Sequence, residues 1–289
     1  MPYMTVSEWL QPAIMQLSEA GISTARLDAM VLLSDEIGLD RGYILAHPEQ
    51  EIIGLKLAKL KKLLDLRATH VPLSYLRGKA EFYGREFKVG PSVLVPRPET
   101  ETMIDVFKEL LTILKDIKQA PQDGQKWRVA DVGTGSGAVG ITAALEQPQT
   151  QVTLLEIDDQ AIEMAKANVI ILSTSLEVIK SDLLLGTKQK FDILLCNLPY
   201  VPDTFPINKA ASHEPSIAIF GGLDGLELYR QLFDQIKIVA NYPLYIITEA
   251  LPESHLKLHG IANAGGYTLM KTVDFIQLFE LSSHYYDCD

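Results

Sequence analysis

Residues 133–140 constrain the fold of this chain more than any other stretch, because four of these eight residues are glycine. They directly follow an apolar run at 127–132, and a helical pattern continues from them to Leu145. Glycines let the backbone approach a ligand closely, and the free amides at a helix N-terminus offer donors to a carboxylate or a phosphate. The stretch therefore predicts the first strand–turn–helix unit of a nucleotide-binding α/β fold.

The alternation of strand and helix continues after this loop. Short strands are predicted at 152–155, 176–179 and 191–196, and a helix at 161–168 lies between the first two. Each strand is followed by a polar residue, in order Glu156, Asp182 and Asn197. In open α/β sheets ligands bind at the carboxyl ends of the strands, so we expect these side chains to meet at one edge of the sheet.

Two cofactors are compatible with the glycine loop. Gly135, Gly137 and Gly140 have the spacing of the dinucleotide fingerprint, which favours a nicotinamide dehydrogenase. However, Asp131 stands just before the loop, where its carboxylate would repel a pyrophosphate and attract the ammonium of a methionine moiety. Glu156 follows at the distance expected of a ribose acceptor. The residue set therefore fits S-adenosylmethionine better than NAD.

The tetrapeptide Asn197-Leu198-Pro199-Tyr200 follows the predicted strand at 191–196. An Asn amide, a backbone carbonyl before proline and an aromatic ring can together hold one flat group. This is the requirement for methylating an amide nitrogen or an exocyclic amine. The alternative is an Asx-type turn in which Pro199 and Tyr200 are ordinary loop residues.

The N-terminal part is predicted to be a small helical bundle. Apolar spacing predicts three helices, at residues 5–21, 24–38 and 50–67. The first begins with a capping box of Thr5 and Glu8, the second is closed by Gly38, and Pro72 is expected to end the bundle. Residues 79–95 then read as a hairpin around Gly84, and a helix is predicted from 100 to 117.

Composition excludes several classes of function. The 289 residues carry a net charge of −11, and residues 98–289 alone carry −12. This negative charge disfavours binding to duplex DNA. No apolar run reaches membrane-spanning length and no signal peptide is recognisable, so we expect a soluble, cytoplasmic protein. Cys196 and Cys288 are too few for a disulfide framework, and the six histidines lack ligand spacing, so no metal site is expected.

The chain resembles the release factor glutamine N5-methyltransferase family over nearly its whole length. The resemblance rests on the order and spacing of several motifs, at residues 72–78, 81–84, 93–101, 131–137, 197–200, 213–215 and 221–225. It implies an α/β fold with a Rossmann-like seven-stranded methyltransferase domain, preceded by a small all-α domain and a β-hairpin linker. The implied boundaries are 1–75 for a substrate-docking helical domain, 76–97 for the linker and 98–289 for the methyltransferase domain.

The same resemblance implies an activity and a site. A methyl group would pass from S-adenosylmethionine, leaving S-adenosylhomocysteine, to the glutamine of the Gly-Gly-Gln loop of peptide chain release factors, without a metal. The implied catalytic and substrate-binding residues are Asn197, Leu198, Pro199 and Tyr200, with Arg97 as a further substrate contact. The implied cofactor-binding residues are Asp131, Gly133, Thr134, Gly135, Ser136, Gly137, Glu156, Asp182, Leu183 and Asn197. We expect a monomer that contacts neither membrane nor specific nucleic acid sequences.

Two departures from the family pattern bear on these expectations. Leu198 replaces a proline that the family usually has, although its carbonyl is retained and Pro199 still favours an extended backbone. Residues 272–278 lack the usual Gly- and Arg-containing ending, which leaves the last strands open. His213 and Glu214 have the residue types of an acid/base pair, but a structural role in the loop is the favoured interpretation.

Three alternative functions are also compatible with the sequence. A ribosomal-protein glutamine N5-methyltransferase would need the same site with a different docking surface. An adenine N6 nucleic-acid methyltransferase would use the same tetrapeptide on an exocyclic amine, but it usually needs a basic recognition region, which is not evident here. A non-catalytic binding module would follow if Leu198 disabled the site.

Overall fold

The computed structural model describes residues 3–119, 121 and 126–282. Cys288 lies outside these residues. The described chain packs as two compact units. The first contains residues up to Lys79 together with Ile207–His213, and the second contains Ala80–Pro206 and the residues from Glu214 onward. The division of the chain at residues 75 and 97 by function stays a prediction.

The first unit is mainly helical. Its elements are β1 (Tyr3–Thr5), α1 (Val6–Glu19), α2 (Ala25–Ile37), α3 (Arg41–Ala46), β2 (Glu51–Ile53), α4 (Gly54–Ala68) and α5 (Leu73–Arg77). The first two predicted helices are confirmed. The amide of Thr5 donates to Glu8 Oε2 at 2.8 Å and the amide of Glu8 to Thr5 Oγ1 at 3.3 Å, which is the capping box. Gly38 ends α2 in the left-handed conformation.

The predicted helix at 50–67 was wrong at its start. Residues Glu51–Ile53 form a strand that pairs antiparallel with Tyr3–Thr5, and the helix begins only at Gly54. Ile52 is buried and Ile53 is exposed, which is the alternation of a strand with one buried face, and both residues are β-branched. Pairing with β1 therefore overrides the local helical pattern.

Pro72 does not end the helical unit, and α3 was missed. Pro72 is the residue directly before α5. A proline is favourable there, because the N–H that it lacks would have no partner at the start of a helix. Asp40 caps the N-terminus of the short α3, and its carboxylate accepts from the Tyr43 amide at 3.0 Å.

The second unit begins within the hairpin of β3 (Lys79–Phe82) and β4 (Arg85–Lys88), and this hairpin confirms the prediction around Gly84. Tyr83 and Gly84 take positive φ at its turn. Phe82 and Phe87 are fully buried in the core of this unit. A turn of 3-10 helix, Pro98–Thr100, leads into α6 (Glu101–Asp116), which matches the predicted helix.

The remaining elements alternate as expected. They are β5 (Arg128–Val132), α7 (Ala138–Glu146), β6 (Gln151–Glu156), α8 (Asp159–Ile171), β7 (Glu177–Lys180), β8 (Ile193–Cys196), α9 (Glu227–Ile238), β9 (Tyr245–Glu249), α10 (His255–Ala264), β10 (Tyr267–Val273) and β11 (Ile276–Leu281). In the described chain β5 to β11 form one seven-stranded sheet of order β10-β11-β9-β8-β5-β6-β7. Strands β5 to β9 are parallel to one another, and β11 runs antiparallel to both of its neighbours, β9 and β10. The predicted α/β fold class is confirmed.

The atypical C-terminal stretch forms the antiparallel edge of this sheet. Val273 pairs with Ile276, so Asp274 and Phe275 make a two-residue turn between β10 and β11. Asp274 takes φ 48°, as such tight turns require. The departure from the family ending therefore leaves the strands intact.

Alternation along β5 shows that both faces of the sheet are covered. Val129 packs into an apolar cluster with α6 and α7, and Ala130 packs into a second cluster with α9 and α10. This layering leaves the carboxyl ends of the strands as the open edge. Within the described residues no helix is both long and apolar enough to cross a membrane.

Candidate active site

A cavity of the second unit lies at the carboxyl ends of β5, β6, β7 and β8. It gathers most of the residues predicted from the sequence. Those that line it are Arg97, Asp131, Gly133, Thr134, Gly135, Ser136, Glu156, Asp182, Leu183, Asn197, Leu198 and Pro199. Gly137 instead begins α7 as its cap, and Tyr200 directs its hydroxyl to Glu249 at 2.9 Å. Their roles in binding or catalysis stay predictions.

Asp131 is a buried carboxylate at the end of β5. Its Oδ2 accepts from the Thr134 hydroxyl and, at 2.8 Å, from the Gly140 amide. Burial raises the pKa of Asp131 to about 6, and these two hydrogen bonds oppose that shift. The group is therefore mostly an anion at neutral pH, placed where a cation would find a desolvated partner.

The contact between α7 and the sheet requires Gly140. A Cβ at this position would stand 2.2 Å from Leu154 Cδ2 and 2.8 Å from Asp131 Cβ. The third glycine of the fingerprint therefore serves close packing of helix on strand. This packing aims the N-terminus of α7 at the cavity.

Glu156 ends β6 and connects two loops of the cavity. Its Oε2 accepts from the Gly135 amide at 2.8 Å, and its Oε1 accepts from the amides of Ile157 and Asp158 at 2.9 and 3.1 Å. These donors fix the carboxylate at the cavity wall. A carboxylate has room for further donors, such as a pair of hydroxyls.

The end of β7 is a tight, internally bonded loop. Ser181 donates its hydroxyl to the Leu183 carbonyl at 2.6 Å and accepts from the Gly186 amide at 2.9 Å. Leu183 takes φ 49° and presents an apolar wall to the cavity beside Asp182. The loop therefore presents the Asp182 carboxylate and the apolar Leu183 side chain to the cavity, where a planar ring could bind between them.

The tetrapeptide begins where β8 ends. Asn197 donates from Nδ2 to the Thr100 hydroxyl at 3.1 Å, so its amide oxygen is the end that can accept from a substrate. Leu198 is only 2% exposed. Its Cδ2 lies 3.1 Å from the position of a Cβ on Gly133, so the leucine packs on the glycine loop.

The loop at Gly221–Gly225 supports the backbone of the tetrapeptide. A Cβ on Gly221 would stand 2.3 Å from the Pro199 carbonyl oxygen, and one on Gly225 would stand 2.2 Å from that of Tyr200. The amide of Gly221 also donates to the Val201 carbonyl at 2.9 Å. These glycines allow a backbone contact that no side chain would permit.

Glu214 has a structural partner in Arg97. Arg97 Nη2 donates to Glu214 Oε1 at 2.6 Å, and the Val95 amide donates to Glu214 Oε2 at 3.2 Å. In the first unit, His213 Nε2 contacts the Thr69 carbonyl at 2.9 Å. These contacts agree with the structural interpretation of His213 and Glu214. Arg97 also lines the cavity and stays a predicted substrate contact.

Sequence reasoning missed several residues of the cavity. Phe82, Val93, Pro96, Thr100, Ile157 and Pro215 also line it. Ile157 directly follows Glu156, the last residue of β6. An apolar residue at that place in the sequence could have indicated that it contacts the ligand. Thr100 lies in the motif at 93–101, but that motif did not indicate its contact with Asn197.

Two family models match the chain, the PrmC N-terminal domain over residues 8–78 and the methyltransferase small domain over residues 103–213. The release factor glutamine methyltransferase of Koribacter versatilis is 35% identical over 238 residues, which cover 81% of this chain and 81% of that protein. This chain belongs to the release factor glutamine methyltransferase family. The family member of Bacillus subtilis is 32% identical over 251 residues, covering 85% of this chain and 84% of that one. The resemblance read from the motifs is confirmed.

Two other likenesses are more limited. A protein named bifunctional methyltransferase of Rickettsia bellii is 33% identical over 260 residues, and the match covers 81% of this chain but only 46% of that protein. The solved hMettl16 catalytic domain is 16% identical, covers 81% of both chains and superposes with a TM-score of 0.52. At that identity the structural likeness shows the fold alone.

Proposed function

We propose that this protein transfers a methyl group from S-adenosylmethionine to the side-chain amide nitrogen of the glutamine in the Gly-Gly-Gln loop of peptide chain release factors. The observation that supports this most is the cavity in which Asn197, Leu198 and Pro199 meet Asp131 and Glu156. The first three residues could bind a planar amide, and the two carboxylates could bind a cationic, ribose-containing cofactor. The membership in the release factor glutamine methyltransferase family supports the same substrate.

The residues present fit S-adenosylmethionine. The Asp131 carboxylate would attract the ammonium, and Glu156 would accept from the ribose hydroxyls. Ile157 and Leu183 would offer apolar surface to the adenine beside Asp182. The glycine loop gives amide donors for a carboxylate. When bound, this cofactor supplies an electrophilic methyl group on a sulfonium.

The tetrapeptide would orient the substrate amide. An amide nitrogen is a poor nucleophile because its lone pair is delocalised into the carbonyl. The Asn197 side-chain oxygen and the Leu198 carbonyl would accept its two N–H bonds, and Tyr200 would support the amide plane. The rate enhancement then comes from positioning and from preorganised acceptors, and the surplus proton leaves after transfer.

The first unit would dock the protein substrate. It has its own apolar core, built from α1, α2 and α4, and residues of the cavity all lie in the second unit. We expect a cytoplasmic monomer in which this helical unit recognises the body of the release factor. Recognition away from the reacting glutamine predicts that an intact factor is a better substrate than a short peptide containing Gly-Gly-Gln.

Mass spectrometry of an intact release factor after incubation with enzyme and S-adenosylmethionine tests this function. We expect one added methyl group on the Gly-Gly-Gln glutamine and none on a factor with that glutamine replaced by alanine. Ribosomal proteins and a single-stranded adenine-containing oligonucleotide are the matched alternative substrates. Methylation of either of these, with none on the release factor, would contradict the proposal.

A further inference from the structure

Glu249 is a fully buried carboxyl next to the candidate site. It is the last residue of β9, and the preceding Thr248 pairs with Cys196 at the end of β8. Glu249 and Asn197 therefore leave two neighbouring parallel strands at the same edge of the sheet. Cys196 and Thr248 are 52 positions apart in the chain, so no local pattern in the sequence indicates this placement.

The side chain of Glu249 has one partner and one unpaired oxygen. Its Oε1 accepts from the Tyr200 hydroxyl at 2.9 Å. Its Oε2 makes no hydrogen bond of good geometry among the described residues, although the Thr100 hydroxyl lies near the carboxyl. Burial raises the pKa of Glu249, and the nearby hydroxyls of Thr100 and Tyr200 oppose that shift. The carboxyl thus lies beside both the residue that holds Asn197 and the aromatic residue of the tetrapeptide.

Packing alone does not account for a carboxyl at this position. Burying a carboxyl with an unpaired oxygen is unfavourable, and an apolar side chain would avoid that cost. The strand ends do not need this side chain either, because the Tyr229 hydroxyl already contacts the Cys196 and Glu249 carbonyls at 3.0 and 2.6 Å. What the Glu249 side chain adds is the bond to Tyr200 and a carboxyl beside the Thr100 hydroxyl.

We propose that Glu249 is a positioning residue for methyl transfer, whose buried carboxyl holds the Tyr200 ring and the Thr100–Asn197 pair in the arrangement that receives the substrate amide. This inference rests on the proposed function. Glu249 acts through Tyr200 and Thr100 and does not itself line the cavity. Its loss should therefore slow the chemical step while leaving cofactor binding in place.

Four variants in the full-length protein test this role. Glu249→Leu removes the acceptor, Glu249→Gln keeps an acceptor of similar shape, Tyr200→Phe removes the same bond from its other side, and a double variant combines Glu249→Leu with Tyr200→Phe. In single-turnover methylation of an intact release factor, Glu249→Leu should be about tenfold slower, and Glu249→Gln should recover most of the rate. The double variant should be no slower than the slower single variant, because Glu249→Leu already removes the bond that Tyr200→Phe deletes.

Gln277→Leu is the matched control for general loss of stability. Gln277 is also buried, lies opposite Thr248 on the neighbouring strand and has an unpaired Oε1 among the described residues. It should keep the wild-type rate. Equal slowing by Gln277→Leu and Glu249→Leu, a Glu249→Gln protein as slow as Glu249→Leu, or additive losses in the double variant would each overturn the positioning role.

A measurement without turnover separates this inference from the proposed function. The ¹³Cζ signal of Tyr200 can be assigned by its loss in Tyr200→Phe. It should shift in Glu249→Gln, which changes the hydrogen-bond acceptor, and should stay in place in Gln277→Leu. An unmoved signal in Glu249→Gln would contradict the contact. A wild-type enzyme that fails to methylate release factors would instead refute the proposed function, whatever the signal does.

Discussion

Asn197 donates a hydrogen bond from its amide nitrogen to the Thr100 hydroxyl over 3.1 Å. This bond leaves the amide oxygen of Asn197 as the acceptor for a substrate. Thr100→Val removes the hydroxyl with little change in volume, so we expect a single-turnover rate about tenfold lower and unchanged cofactor affinity. Thr112→Val is the control, because the Thr112 hydroxyl bonds only the Lys108 carbonyl within α6 among the contacts described. A wild-type rate for Thr100→Val would show that this bond does not orient Asn197.

Glu156 should be required for cofactor binding. Glu156→Ala removes the ribose acceptor and also releases the Gly135 amide, and each unmade contact should cost about 1–3 kcal/mol of binding free energy. Calorimetry with S-adenosylmethionine measures this loss. Asp159→Ala removes a nearby exposed carboxylate that pairs with Lys180, and it should bind normally. Unchanged affinity in Glu156→Ala would refute the assignment of this residue.

Asp131 should make cofactor binding depend on pH. Because the pKa of its buried carboxyl is raised to about 6, the anion that attracts an ammonium is present above that pH and is lost as the pH falls through it. Affinity for S-adenosylmethionine should therefore weaken by up to about tenfold per pH unit below 6. Asp131→Asn should bind weakly with little dependence on pH over this range. Calorimetry between pH 5 and 8 makes the comparison, and a wild-type affinity that is constant over it would contradict the role of Asp131.

Leu198→Pro should separate stability from activity. The usual proline of the family would stiffen the tetrapeptide, so we expect a single-turnover rate equal to or above that of the wild type. The buried leucine packs on Gly133, so its replacement should lower the free energy of unfolding by about 1–2 kcal/mol. Leu198→Ala, which loses more contact without stiffening the loop, should cost about 2–5 kcal/mol. Urea unfolding and rates measured on the same preparations test both effects, and a Leu198→Pro protein that folds but is inactive would contradict this view of the loop.

The parts of the fold that local patterns determine were predictable from the sequence. Glycine spacing located the loop after β5, and a polar residue after each short apolar run located Glu156, Asp182 and Asn197 at one edge. All three line the same cavity. These features depend on residues that are close together in the chain, so a single sequence is enough to predict them.

The contacts that depend on distant residues were not predictable. Thr100 and Asn197 are 97 positions apart, and Tyr200 and Glu249 are 49 apart. The hydrophobic periodicity of the sequence does not indicate such pairs, because the contacts form only when distant strands and loops pack together. The pairing of β2 with β1 is a further case, since a partner strand decided between helix and strand at residues 51–53.

The most direct test of the account is the single-turnover rate of Asn197→Ala on an intact release factor. If the Asn197 oxygen orients the glutamine amide during transfer, the rate should fall about 10²-fold or more, as after loss of one preorganised polar group. Affinity for S-adenosylmethionine and thermal unfolding should largely persist. A near-normal rate in Asn197→Ala, or methyl incorporation into a release factor whose Gly-Gly-Gln glutamine is replaced by alanine, would contradict the mechanism.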